Sequence, residues 1–308
     1  MKQKSALNKK KSFLKTLWGM RAGYLFCLPL FALMVVFCYY PPISGLRLSF
    51  FEQTSTSEAV FVGFKNFADI FSDKVFTDSI GTMFILMVPK LIIGIVMPFI
   101  AAELIFAVKS DKLQNAYRVL MLLPIVAPGV VSLMIWKNIY DPEGGILIAI
   151  LRAFRIVGEN TTIDWLNDPD WVIFSIIFMG FPWVGGTSVL IYMSGLMNIS
   201  SEVIEASRLD GASTFRRIWS IDIPNLVGQI RYFLIFGIIG GFQDYGTQVV
   251  LTHGGPGYST YVPGYYMWEL AYTFDNIGRA SAVGTLLFLI IIVFTVIANF
   301  TVKQREDV

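Results

Sequence analysis

The stretch Ser201-Glu202-Val203-Ile204-Glu205-Ala206-Ser207-Arg208-Leu209-Asp210-Gly211-Ala212-Ser213-Thr214-Phe215-Arg216-Arg217-Ile218-Trp219-Ser220-Ile221-Asp222-Ile223-Pro224 decides how the rest of the chain is read. Acids near its start suit the positive end of a short helix, Asp210-Gly211 is a turn dipeptide, and Ser213 can cap a second short helix. Pro224, which cannot continue that helix, ends it. Glu205, Ala206 and Gly211 then lie on a compact knob whose small residues let another protein's surface close around it. On both sides the chain turns apolar: Trp171 to Ser201 has no charged residue, and Leu226 to about Val250 carries only Arg231 and Asp244. The knob hangs between two segments of membrane length.

Working outward, the same pattern governs the whole chain. Of 308 residues 55% are apolar and only 15% charged, with a mean hydropathy of +0.62, where a soluble domain has roughly a quarter of its residues charged. Ala22 to Leu46, Val119 to Trp136 and Ala280 to Val302 are also free of charge, and at ~1.5 Å rise per residue each can cross ~30 Å of hydrocarbon. A soluble enzyme, a disordered chain and a disulfide-stapled secreted domain are excluded. Two further stretches hold one internal cation each, Lys90 in Ser79 to Ala102 and Arg231 near the start of the fifth, where its long side chain can snorkel to the interface. This predicts an all-α integral membrane protein with six transmembrane helices, approximately 22–48, 79–103, 118–138, 171–197, 225–250 and 280–302.

Charge placement sets the expected orientation. Residues 1–21, a basic N-terminal segment, contain six Lys and one Arg and no acid. With both termini cytoplasmic, the inside segments 1–21, 103–118, 202–224 and 303–308, with Lys303 and Arg305 in the last, hold 15 Lys and Arg against 8 acids. The outside segments are acid-rich, as the positive-inside rule requires. A net charge of +2 gives no reason to expect a nucleic-acid partner. Cys27 and Cys38 are eleven residues apart in one apolar helix, ~16 Å along its axis, too far for a bridge. Residues 139–170 read as turn, short amphipathic helix and turn, and residues 252–279 as a Gly-Gly-Pro-Gly turn followed by a helix whose Tyr265, Tyr266, Trp268 and Tyr272 suit an interfacial belt. Residues 22–308 form one membrane domain.

The knob resembles the EAA loop of the permease subunits of bacterial ABC importers, whose pattern is Glu-Ala-Ala, three residues, Gly, nine residues, Ile-x-Leu-Pro. Glu205, Ala206, Gly211, Ile221 and Pro224 match, with Ser207 for the second Ala and Ile223 for Leu. Leu123-Pro124 through Pro128-Gly129, Asp141-Pro142, Trp165-Leu166, Asp210-Gly211-Ala212-Ser213 and Gly254-Gly255-Pro256 with Ser259-Thr260 resemble landmarks of the carbohydrate subgroup. The chain is similar to its compact six-span form rather than to the maltose-type subunit with extra N-terminal spans and a large outer domain. The resemblance implies the ABC type I importer permease fold in a bacterial cell membrane, with a coupling loop at 202–224. It implies four kinds of partner: a second homologous permease forming a heterodimer, two ATP-binding cassette subunits, an extracytoplasmic sugar-binding protein, and the lipid bilayer. Glu205, Ala206, Arg208, Asp210, Gly211 and Arg216 would contact an ATPase subunit. Sugars or oligosaccharides are the implied cargo; the same architecture moving polyamine, phosphate or glycerol phosphate is the alternative.

No Gly-x-x-x-x-Gly-Lys-Ser/Thr loop occurs in the chain, so ATP and Mg are expected on the partner ATPase subunits, with no cofactor, metal or catalytic residue in this one. His253 lacks a Cys or His at ligand spacing, and the pairs Glu202/Glu205 and Asp168/Asp170 have capping or turn roles. For a hydroxyl-rich substrate the candidates are Trp183 and Thr187 on one face of the fourth span, and Gly237, Gly240, Gly241, Gln243 and Asp244 on the fifth. Lys90, beside Pro89 in mid-span, would cost at least ~2.5–3.5 kcal/mol if unpaired. Its expected partner is either Asp244, or a carboxylate on the substrate, which would make the sugar acidic.

Overall fold

The computed structural model describes residues 19–301. Residues 1–18 of the basic N-terminal segment, and Lys303 and Arg305, on which the argument for cytoplasmic termini rests, lie outside the described residues.

The chain is mostly helical. α1 (Arg21–Leu48) is long and apolar, and its apolar window is wholly unburied. Cys27 and Cys38 are free and exposed along it. A two-residue hairpin, β1 (Phe51–Glu52) with β2 (Val60–Phe61), is a small departure from an all-α chain. It leads into α2 (Lys65–Ser72) and the long α3 (Lys74–Phe106), which starts where the Asp73 carboxylate accepts the Val75 N–H at 2.8 Å.

The third apolar stretch is not straight. α4 (Asp111–Leu122) passes through a 3₁₀ turn at Leu123–Val126 into α5 (Gly129–Ile139), with a 90° bend. Pro124 and Pro128 remove the backbone donors that would carry the helix through. After an Asx-turn, in which the Asp141 carboxylate accepts the Glu143 and Gly144 N–H groups, comes α6 (Ile146–Ala153). Those backbone donors, Gly144 first, hold the Asp141 carboxyl below the usual range. The turn, helix and turn expected in 139–170 are present.

The fourth apolar stretch, expected as one span, is two short helices, α7 (Pro169–Phe178) and α8 (Gly186–Met197). The backbone turns extended at Met179, Gly180 and Trp183 have positive φ, and Pro182 follows a cis bond. α9 (Ser201–Leu209) and α10 (Thr214–Asn225) build the knob. α11 (Val227–Gln243) leaves α10 at a 68° bend directly after Pro224. The chain becomes extended at Asp244 and closes a wide helical turn at Gln248–Thr252 before α12 (Pro263–Tyr272) and α13 (Ile277–Thr301).

By length and apolarity three of the described helices can cross a bilayer, α1, α3 and α13, and five segments can if each bent pair counts as one. α3 is the central strut: it packs along α8 and α11, while α13 packs on α11, α12 and the end of α1. One core joins α3, α7, α11, α12 and α13 through Met83, Ile176, Phe242, Tyr265 and Val283. A second joins the other half of α3 to α8 and α11 through Ala102, Tyr192, Met193 and Phe233.

The aromatic helix departs from the belt expectation. Tyr265 and Tyr266 are buried, and of that group only Tyr272 stands fully exposed. The Tyr266 hydroxyl donates to Asp73 at 2.7 Å and the Tyr261 hydroxyl to Glu269, so burial first and these carboxylates second push both phenols above their ordinary range. α12 is thus part of the packed interior.

Candidate functional site

Two regions bring the sequence-predicted residues together. In the knob, the Ser200 hydroxyl accepts the Val203 N–H and the Ser213 hydroxyl the Arg216 N–H, so each short helix is capped at its start. Gly211 takes φ +75° between them, and nothing lies within 4 Å of where its Cβ would be. Glu202, Glu205, Ala206, Arg208, Asp210, Gly211 and Arg216 are all exposed. So are three large apolar side chains, Leu209 (88%), Phe215 (72%) and Trp219 (59%). Single exposed apolar side chains are ordinary, but these, with Val203, are grouped on one small projection.

The knob's root is as dry as its tip is wet. The Arg217 guanidinium donates from Nη2 to Glu103 Oε2 at 2.9 Å and from Nε to Asp222 Oδ2 at 2.8 Å, and all three side chains are nearly excluded from solvent. Arg217 also lies over the Phe106 ring, 5.8 Å from its centroid. This clamp ties α10 to the end of α3. None of its members stands out in the sequence. The available signal is an acid at the end of the second apolar stretch and an extra Arg in the knob, 114 residues apart.

The second region is a cavity of about 390 Å³ between α3 and α11. Lys90, Gly237, Gly240, Gly241 and Asp244 line it together, among apolar side chains such as Met87, Leu91 and Phe233. Lys90 Nζ lies 3.3 Å from Asp244 Oδ2, so of its two expected partners it contacts the protein carboxylate. Gln248, which the sequence reading passes over, also lines the cavity and is 1% exposed. Gln243 instead faces outward. Trp183 and Thr187 do not share a helix face: Trp183 sits in the break between α7 and α8, its indole N–H donating to the Ile177 carbonyl at 3.2 Å, and neither residue lines the cavity.

Comparison with known proteins agrees with this architecture. Residues 94–305 match the family of binding-protein-dependent transport system inner membrane components, and the chain belongs to that family. It is 30% identical over 272 residues to the probable ABC transporter permease protein YurN of Bacillus subtilis, covering 87% of this chain and 91% of that one. It is 28% identical over 286 residues to the multiple sugar-binding transport system permease protein MsmF of Streptococcus mutans, covering 92% and 96%. Its fold is that of a chain in a bacterial ABC transporter involved in the import of the acidic polysaccharide alginate, with a TM-score of 0.83 over 96% of this chain and 100% of that one at 21% identity. The chain is a membrane component of a transport system, and its role is transport rather than catalysis.

Proposed function

We propose that this chain is the permease subunit of an ATP-driven importer that takes up sugars or oligosaccharides handed over by an extracytoplasmic binding protein. It pairs with a second, similar permease, so that each contributes part of a translocation path, and two ATPase subunits bind ATP and Mg below them. The chain crosses a bacterial plasma membrane six times, the fourth crossing being the broken pair α7 and α8, with both termini cytoplasmic. The observation that carries this reading is the knob: a capped, exposed, apolar-tipped projection clamped at its root by Arg217 to the long helix α3. Such a part passes on a push received at its tip.

ATP closes the ATPase pair, the knobs of the two permeases approach each other, and the path switches from inward-facing to outward-facing by rigid-body motion. Glu205, Ala206, Asp210 and Gly211 form the contact, with Arg208 and Arg216 at its rim. Lys90, Gly237, Gly240, Gly241 and Asp244 line the path at the cavity, and Trp183, Thr187 and Gln243 contribute where the second permease completes it. The test is ATPase activity of the purified complex in lipid, with its binding protein and a panel of oligosaccharides, for wild type and Gly211→Pro. One saccharide should stimulate hydrolysis, and the substitution, which cannot adopt φ +75°, should abolish that stimulation. Stimulation by a polyamine or a phosphate compound instead of any sugar would overturn the cargo assignment.

A further inference from the structure

This chain's share of the cavity wall carries no net charge. Among its lining residues one is cationic, Lys90, and one anionic, Asp244, and they are in contact at 3.3 Å. Their formal charges cancel. A saccharide carboxylate approaching Lys90 would meet Asp244 beside it, and the repulsion would offset the attraction. A hydroxyl has no such conflict: it can donate to the Asp244 carboxylate and accept from the Lys90 ammonium at once, bridging the pair. Gln248 points to a ligand independently. Its side chain is 1% exposed at the cavity wall, and its Oε1 has no hydrogen-bond partner among the described residues. A buried acceptor left unpaired is costly, and a donor brought by a ligand removes that cost. A saccharide hydroxyl is such a donor. Gly240 leaves part of the α11 wall without a side chain, with nothing within 4 Å of where its Cβ would be, which makes room for a pyranose-sized body.

Resting on the importer reading above, we infer that the Lys90–Asp244–Gln248 cavity selects an uncharged, hydroxyl-rich saccharide and discriminates against uronates. The pair is a specificity device: Asp244 cancels the attraction that Lys90 alone would exert on an acidic sugar.

The test uses the complete complex in lipid with Cys27 and Cys38 replaced by Ala and a reporter introduced as Gly240→Cys. Position 240 lines the cavity and has open space on its Cβ side, so the thiol fits. Labelling by an uncharged methanethiosulfonate is timed with no saccharide, with a neutral glucose pentasaccharide, and with an oligouronate of the same length. The neutral sugar should slow labelling at least about fivefold and the oligouronate should not. In the Asp244→Asn background the uronate should protect as well as or better than the neutral sugar. Better protection by the uronate without the Asp244 change, or no protection by either, overturns the inference. ATPase stimulation separates the two readings. If saccharides stimulate hydrolysis but none protects position 240, only the cavity assignment falls, whereas if none stimulates, the importer reading falls with it. Should Asp244→Asn fail to assemble, the wild-type order of protection still decides.

Discussion

The knob and the cavity are built on opposite principles. The knob spans 24 consecutive residues and shows its working groups to solvent, with its charged root hidden. The cavity is assembled from residues 154 positions apart, buries Gln248 while leaving the Lys90–Asp244 pair half-buried, and cancels its charges internally. A surface meant for a large, folded partner can use exposed apolar side chains and capped helix ends, because the partner supplies the burial. A site meant for a small ligand inside a bilayer must keep its charged groups paired while it is empty.

That contrast can be broken experimentally, most severely at the knob's root. Arg217→Ala leaves Glu103 and Asp222 buried without a counter-charge, and a loss on the order of 3–5 kcal/mol is expected. It should appear as a large fall in the melting temperature of the purified complex. If Arg217→Ala melts like wild type, the root is not the structural clamp described. Gly211→Ala keeps the turn but places a side chain at φ +75°, costing roughly 1–2 kcal/mol. Its effect should be a partial loss of saccharide-stimulated hydrolysis with unchanged saccharide protection of the cavity. Leu209→Asp, at a position 88% exposed, should change melting by no more than about 0.5 kcal/mol. It should nonetheless reduce the amount of ATPase subunit that co-purifies; undiminished co-purification would remove Leu209 from the interface. The smallest effect on stability is expected from Gly240→Leu, where the added side chain enters the cavity. Uptake should fall while the ATPase subunits remain bound, the reverse of Leu209→Asp.

The unequal legibility of these regions follows from the same contrast. The knob's caps, its Asp210-Gly211 turn and its proline stop are local features, and local hydrogen bonding places them. The helical character and the membrane-length apolar stretches are equally plain from hydropathy. Helix phase is legible only as far as the helices run unbroken. Gln243 is still within α11 and, six residues after Gly237, sits roughly 120° round the helix from it, so it points out. Only past the break at Asp244 is the phase lost, and there Gln248 points in. The break at Met179 likewise cancels the four-residue spacing of Trp183 and Thr187. The signals for that second break are present in Gly180, Pro182 and Gly185-Gly186. Tyr265 and Tyr266 mislead for another reason: composition reports that aromatics suit an interface, but tertiary packing decides which of them reach it. Arg217 is one of several basic residues in a charged loop, and nothing local distinguishes the one whose partner lies on α3.

The unbroken run of α3 joins the two regions mechanically. The helix carries Lys90 in the cavity wall and Glu103 in the clamp, thirteen residues further on, a lever arm of ~20 Å at ~1.5 Å per residue. Linkage then binds the two ends in both directions. In the proposed importer, whatever factor a saccharide in the cavity applies to the affinity of an ATPase subunit for the knob, that subunit applies to the affinity of the cavity for the saccharide. A titration of either end therefore measures the other.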